Sequence, residues 1–454
     1  MARPSRRTPI ARPAAPVPPV PLPALAWTLL VALAAGFALL LVSYPIYDTD
    51  MWQHLLVGKV IWTQHAIPHT QLWSWPTYGT PDVLPSWLFR ALLYPFWAVG
   101  GETGIFMWRW LTTLAAFGML WAAARAAGGR GPFALVALLW CVLLYRYRAQ
   151  ARPETLVAVL VAAQMWLLEK RRARGAEPGR WDPAWGLPVI AMLWANVHIS
   201  YYIGLMLTAF HLVAALLPAG AERPRQAPRT LFLALLASGA ASFVNPFGWR
   251  SLAEPFRYFF VWRHEPIYHV IGELRPVDWN FFAPAMLPAW LGLLVGLALW
   301  RWWRRGFDPV QFLILVVFIP QALLTQRFLG YLAVLVAPFM ARDLDQACAA
   351  LRARVLDPPW VRSAVVALLL VALPIPALRS GALTPGLGFM WSEFPVRAGD
   401  WIAAHDVRGR SFNAFGHGGY MLWRFWPDRG RLPFMDVHAT GTRADRAMTA
   451  YVHE

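Results

Sequence analysis

Apolar runs near the length that crosses a bilayer recur along this chain, and no other feature constrains its fold so strongly. A spanning helix needs roughly 20 mostly apolar residues. About eleven runs approach that length, centred near Val31, Leu114, Leu138, Leu160, Ile190, Leu207, Leu235, Leu293, Leu315, Leu335 and Leu369. Several are short or contain Pro, which membrane helices tolerate where neighbours satisfy the freed backbone groups. Over 454 residues the chain is 58% hydrophobic and only 14% charged, against about 25% charged in soluble domains. The fold class expected is an all-α polytopic membrane protein with a small α/β C-terminal domain outside the membrane.

The net charge of +17 comes in short Arg clusters between the apolar runs. That pattern fits membrane topology, not nucleic-acid binding, since no basic stripe accompanies a binding fold. With the N-terminus inside, alternate loops are basic: Arg125 and Arg130; "EKRRARG" at 169–175; Arg223, Arg225 and Arg229; "RWWRRG" at 301–306; and Arg342, Arg352, Arg354 and Arg362. This places the C-terminal tail outside, and in a Gram-negative bacterium it places the chain in the inner membrane with that tail in the periplasm. Cys141 lies in an apolar run and Cys348 in a basic loop, so no disulfide framework is expected.

Three regions follow. Residues 1–23 are Arg- and Pro-rich and read as a disordered cytoplasmic tail. Residues 24–378 form the transmembrane domain, beginning with a retained helix and not a cleaved signal. Residues 379–454 form the small outer domain, with a helix-like "PVRAGDWIAAH", strand-like "RSFNAF" and "RLPFMDV", and a glycine-rich "GHGG" read as a structural turn. Two outer loops are long, 46–104 and 245–282, whereas packed helices are joined by about 2–8 residues. The first is dense in Trp and contains "PSWLFRALLYPF", an interfacial helix with Ser86 as N-cap and Pro95 as stop.

The candidate chemistry lies in the outer turns. Asp48 and Asp50 form a D-x-D just beyond the first span. In extended chain both carboxylates face one side, where they can hold a divalent cation or share base and orienting roles. A helix starting at Asp50 places His54 on the same face. The alternatives are a solvated helix cap and a structural histidine. "YRYRAQARPE" supplies Arg146, Arg148, Arg152 and Glu154 on a side where topology asks for no cations, and guanidinium is the preferred partner of phosphate. Asn196, His198, Gln326 and Arg327 occupy later outer turns. The second long loop carries Glu254, Arg257, Arg263, His264, Glu265, His269, Glu273 and Asp278, with no pattern to choose among them.

Taken in order, these motifs resemble the GT-C superfamily of membrane glycosyltransferases, closest to bacterial members with D-x-D-x-W-x-H-L-x-x-G. Here that pattern is Asp48, Asp50, Trp52, His54, Leu55 and Gly58, followed by "AIP" at 66–68, "RPE" at 152–154, "LWANVH" at 193–198, "NPFG" at 245–248 and "HGGYMLW" at 417–423. The tail departs from the group at "DVH", Asp436 to His438. The resemblance implies transfer of a sugar from a polyprenyl-phosphate donor to a lipid, glycan or protein acceptor at the outer face, with membrane lipids around the donor. It gives Asp48 or Asp50 the role of activating the acceptor, with His54 beside them and Glu154 or Glu265 as a second acid. Arg146, Arg148, Arg152 and Arg327, with Asn196 and His198, become substrate-binding residues. Metal-dependent members would place Mg or Mn on Asp48 and Asp50. Two other classes compete: a flippase for lipid-linked sugars, which needs ionisable groups near mid-bilayer and related halves, and a non-catalytic envelope-assembly protein.

Overall fold

Lipid offers no partner for backbone N–H and C=O groups, so each apolar run must satisfy its own as a helix. The computed structural model describes residues 21–175, 181–218, 226–265, 271–350 and 358–436. The N-terminal tail up to residue 20, together with Arg223, Arg225, His269, Arg352, Arg354 and His438, lies outside the described residues.

The helices in chain order are α1 (Ala24–Val42), α2 (Asp50–Gln64), α3 (Trp87–Ala126), α4 (Phe133–Tyr145), α5 (Glu154–Arg174), α6 (Leu187–Val197), α7 (Tyr201–Leu216), α8 (Pro228–Ala241), α9 (Trp249–Phe260), α10 (Leu287–Arg304), α11 (Pro309–Leu324), α12 (Phe328–Ala350), α13 (Pro359–Ala372), α14 (Val396–Ala404) and α15 (Gly418–Phe425). All eleven centres of apolar sequence fall inside one of these. Among the described residues, three helical stretches are long and apolar enough to cross a membrane: Ala24–Val42, Trp87–Ala126 and Pro359–Arg379. Trp279–Ala285 with Leu287–Arg304, bent by 71°, makes a fourth if taken as one span. Shorter apolar helices pack between them, and α4 and α12 form the centre, buried along most of their length.

α3 corrects the expected interfacial helix. Ser86 makes no side-chain cap bond, and the helix runs through Pro95 to a break at Gly101 (φ 52°). That positive φ costs glycine little, whereas it strains the backbone of any residue with a side chain. Beyond the break the chain doubles back so tightly that a Cβ on Gly104 would lie 1.8 Å from the Phe96 carbonyl oxygen. The first arm of α3 thereby lies against α2, and the second arm packs along α5.

The tail also differs from its expectation. Among the described residues there is no β-sheet; two isolated bridges, Ile46 with Phe389 and Thr70 with Pro81, are the extended pairings. The two strand-like stretches do run alongside each other, with Gly409 N–H donating to Gly430 O at 2.8 Å. Further on, the Asn413 side chain takes over the pairing, accepting from Phe434 N–H and donating to Met435 O. Pro433, which has no N–H, interrupts the ladder between them. The glycine run is a close-packing site at the start of α15, not a turn: a Cβ on Gly418 would meet the Met435 carbonyl at 2.0 Å, and one on Gly419 would come within 3.0 Å of the Thr49 carbonyl.

Trp52, on α2, joins the tail to the first outer loop. Its ring lies 5.3 Å from Phe389, 5.4 Å from Tyr420 and 5.8 Å from Trp423, centroid to centroid, and also contacts Trp97 and Phe394. The D-x-D therefore stands at the foot of a helix clamped between α3 and the tail.

Candidate functional site: a carboxylate–guanidinium cluster

Three chain ends converge on the D-x-D. α1 ends at Val42 and the chain crosses to α2 through Tyr44–Thr49. Between α4 and α5 a short 3-10 turn, Arg146–Arg148, leads to Arg152 and Glu154. α12 begins just after Arg327. Arg109, a buried cation in the apolar second arm of α3, ties two of these ends together: its Nε donates to Ala149 O and its Nη1 to Tyr44 O, both at 2.9 Å.

Asp48 is 3% exposed. Arg152 holds it in a two-pronged bond, Nε to Oδ2 at 2.7 Å and Nη2 to Oδ1 at 2.8 Å. The same guanidinium lies 3.3 Å from Asp50 Oδ2 and donates to Glu273 Oε2 at 3.0 Å. Arg148 donates to Glu273 and, at 3.4 Å, to Glu154 Oε1. Arg327 donates to Glu154 Oε1 at 2.7 Å and lies 3.2 Å from Glu273 Oε1. Gly330 on α12 leaves room for Arg148, whose Cγ would be 2.5 Å from a Cβ there. Four carboxylates thus share three guanidiniums, and the cluster is one negative charge in excess unless one acid is protonated.

Asp50 is the acid the arrangement leaves least supported. Burial pushes its carboxyl up to about 7, opposed by Arg152 and reinforced by Asp48, Glu273 and Glu154. Glu273 goes the other way: burial works against its ionisation, but Arg148, Arg327 and Arg152 hold it down at about 2. Two carboxyls in one cluster with values pushed apart is the pattern of divided acid–base roles.

The remaining expected residues are placed differently. His54 shares the face of α2 below Asp50 but is buried, accepting from Arg90 Nε at Nδ1 (3.3 Å) with its ring edge-on to Phe89. Burial, with Arg90 and Arg152 nearby, pushes its imidazole well below the ordinary range, so it is neutral. Arg146 turns away from the cluster. Its Nη2 donates to Tyr147 OH and Ala382 O, both at 2.9 Å, and it faces a cavity of about 170 Å3 lined by Tyr44, Tyr47, Tyr147 and Phe281. Asn196 holds backbone and indole groups, accepting from Trp87 Nε1 and donating to Met192 O and Val244 O. His198 pairs with Ser200 at 2.8 Å, with Tyr331 OH adjacent. From the second long loop it is Glu273 that joins the cluster, through Arg148, Arg152 and Arg327. No periodicity singles out Glu273, whereas Arg109 is a charge in an apolar run, which is itself a sequence signal for a functional or structural polar site.

A divalent cation does not fit this arrangement. Arg152 occupies both oxygens of Asp48 and touches Asp50, and among the described residues no group of three or more His, Cys, Asp or Glu is set to hold a metal.

The fold is similar to that of solved archaeal proteins: the Archaeoglobus fulgidus oligosaccharyltransferase tethered to an acceptor peptide containing the NVT sequon superposes with a TM-score of 0.59 at 12% identity, over 91% of this chain and 64% of that one. The same organism's oligosaccharyltransferase AglB, in complex with an inhibitory peptide and a dolichol-phosphate, gives 0.58 at 11% identity over 91% and 64%. A further structure of that enzyme, in complex with Zn and sulfate, gives 0.52 at 12% identity over 90% and 62%. The chain thus spans just under two thirds of these proteins' length. No family model matches the sequence, and no curated protein matches it.

Proposed function

We propose that this chain is a membrane glycosyltransferase that moves a sugar from a polyprenyl-phosphate donor to a lipid, glycan or protein acceptor, with Asp50 as the general base. The observation that carries the reading is the cluster itself: a carboxyl near neutrality, Asp50, held 3.3 Å from the guanidinium that grips Asp48. A base works best when its pKa lies near the operating pH. In the reaction the acceptor oxygen attacks the anomeric carbon, the bond from that carbon to the phosphate oxygen breaks, the phosphate leaves with the electron pair, and the acceptor proton passes to Asp50. Asp48, locked by Arg152, positions that guanidinium and so sets the charge Asp50 experiences.

The leaving phosphate needs a cation. Arg148, Arg152 and Arg327 are outnumbered by the four carboxylates they hold, whereas the contacts of Arg146 are to a phenol and a carbonyl. We therefore give Arg146 the phosphate, with the tyrosines of its cavity against the adjoining sugar or isoprene. The likeness to a dolichol-phosphate complex supports the donor class. The flippase alternative has less support, since the described charged networks lie at helix ends. The membrane would be a bacterial inner membrane, with the cluster and residues 379–454 on the periplasmic side and the described arginine-rich loops on the cytoplasmic side.

The test is incorporation of labelled sugar into endogenous acceptors in membranes carrying the wild type or Asp50→Asn. Loss of incorporation with intact protein levels is the expected result; equal incorporation removes Asp50 from the reaction.

A further inference from the structure

α5 and α12 carry charge at both ends. Glu154 opens α5 at the Asp48 cluster, and Arg171 lies near its other end. At about 1.5 Å per residue the two are roughly 25 Å apart, close to the roughly 30 Å of a bilayer's apolar core. Arg327, just before α12, and Arg342 within it are similarly separated, by roughly 22 Å at about 1.5 Å per residue. At this opposite end, α3, α5, α7, α8, α10, α11 and α12 enclose a cavity of about 780 Å3, far larger than the space beside Arg146.

Its wall carries six guanidiniums, Arg130, Arg171, Arg172, Arg301, Arg305 and Arg342, and two carboxylates, Glu169 and Asp308. Asp182 and Asp343 pair with the wall from behind, Asp182 with Arg171 at 2.9 Å and Asp343 with Arg342 at 2.7 Å. Among the described residues, six cations here face four carboxylates. Asp308 bridges Arg172 and Arg342 at 2.7 and 2.8 Å. Arg171, Arg301 and Arg342 are each more than nine-tenths buried. Arg171, Arg172, Arg301 and Arg342 are thus fixed before any ligand arrives, and a preorganised site loses little affinity to ordering. Beside this charged wall the cavity has an apolar rim, with Leu216, Leu217 and Phe307 exposed.

We propose that this cavity binds a phosphate-bearing anion. Guanidinium forks match phosphate oxygens, and basic pockets between membrane helices take anionic lipid headgroups. The exposed rim gives an acyl chain apolar surface next to the phosphate, which a soluble phosphate would leave uncovered. The site is independent of the transfer reaction and shares no residue with the Asp48 cluster.

The test uses the full chain in phosphatidylcholine nanodiscs with and without cardiolipin, with retained lipid counted by native mass spectrometry and inorganic pyrophosphate titrated separately. The variants are Arg130→Gln and Arg305→Gln, both exposed at the rim and therefore safe for folding, and Leu216→Gln. Wild type is expected to retain cardiolipin over phosphatidylcholine. Each arginine change should weaken retention about fivefold, the worth of one cation near an anionic surface. Leu216→Gln should weaken cardiolipin while leaving pyrophosphate unaffected. Binding of pyrophosphate without lipid retention, lost in the arginine variants, assigns the same site to a soluble phosphate. Equal behaviour of wild type and the Arg130→Gln/Arg305→Gln double variant toward both probes overturns the proposal.

Discussion

Arg152 grips Asp48 through two parallel hydrogen bonds of 2.7 and 2.8 Å, and with its remaining reach it also touches Asp50 and Glu273. One guanidinium therefore neutralises charge on three acids that would otherwise repel each other at a buried site. Removing one partner of such a buried network costs about 3–5 kcal/mol, because it strands the others. Arg152→Ala should lower the melting temperature of the detergent-purified protein markedly. Arg152→Ala with Asp48→Ala should recover part of that loss, since the stranded carboxylate goes too. A single variant as stable as wild type would show that the network does not hold the turn.

Burial pushes the Asp50 carboxyl up to about 7, more than Arg152 offsets. As a base it is active when ionised, so kcat/KM should fall about tenfold per pH unit below 7 and level off above it. The stability consequence has the opposite sense. A carboxyl raised in the folded state favours folding at low pH, and that contribution is lost as pH rises through 7. Asp50→Asn should therefore raise the melting temperature relative to wild type more at pH 8 than at pH 5. A uniform effect across that range would contradict the placement of Asp50.

Gly58 lets α2 lie against the first arm of α3: a Cβ there would fall 2.3 Å from the Arg90 carbonyl oxygen and 2.7 Å from Tyr94 Cβ. Backbone cannot yield as a side-chain tip can, so Gly58→Ala should destabilise by about 1–3 kcal/mol. Gly36→Ala on α1, where nothing lies within 4 Å, is the control and should leave the melting curve in place.

Trp52 is the aromatic hinge between the outer loop and the tail. Trp52→Ala removes a large buried ring, a change worth about 3–5 kcal/mol in a packed core. The tail should then become accessible to limited proteolysis between residues 380 and 415 before the membrane helices do. Unchanged cleavage kinetics would mean the tail is held elsewhere.

Much of this was legible in the sequence, for physical reasons that can be named. All eleven apolar centres fall in helices because lipid leaves the backbone no other solution. Asp48, Asp50, Arg152 and Glu154 meet because short turns leave residues at helix ends little freedom. Arg146 and Arg148 are neighbours in sequence, yet the tight turn they share sends them to different places, which spacing alone does not show. Glu273 lies in a long loop where no periodicity ranks the many charged residues. The strand-like tail misled because alternation predicts pairing only where each residue can donate to a ladder; Pro433 cannot, and Asn413 substitutes its side chain.

The most direct measurement is transfer by the purified, reconstituted protein from a defined polyprenyl-phosphate-linked sugar, comparing wild type with Asp50→Asn and Asp48→Asn/Asp50→Asn. General-base catalysis contributes about 10²–10⁴-fold, so Asp50→Asn should lose at least a hundredfold in kcat, with donor KM little changed. Transfer undiminished in the double variant would contradict the account at its centre.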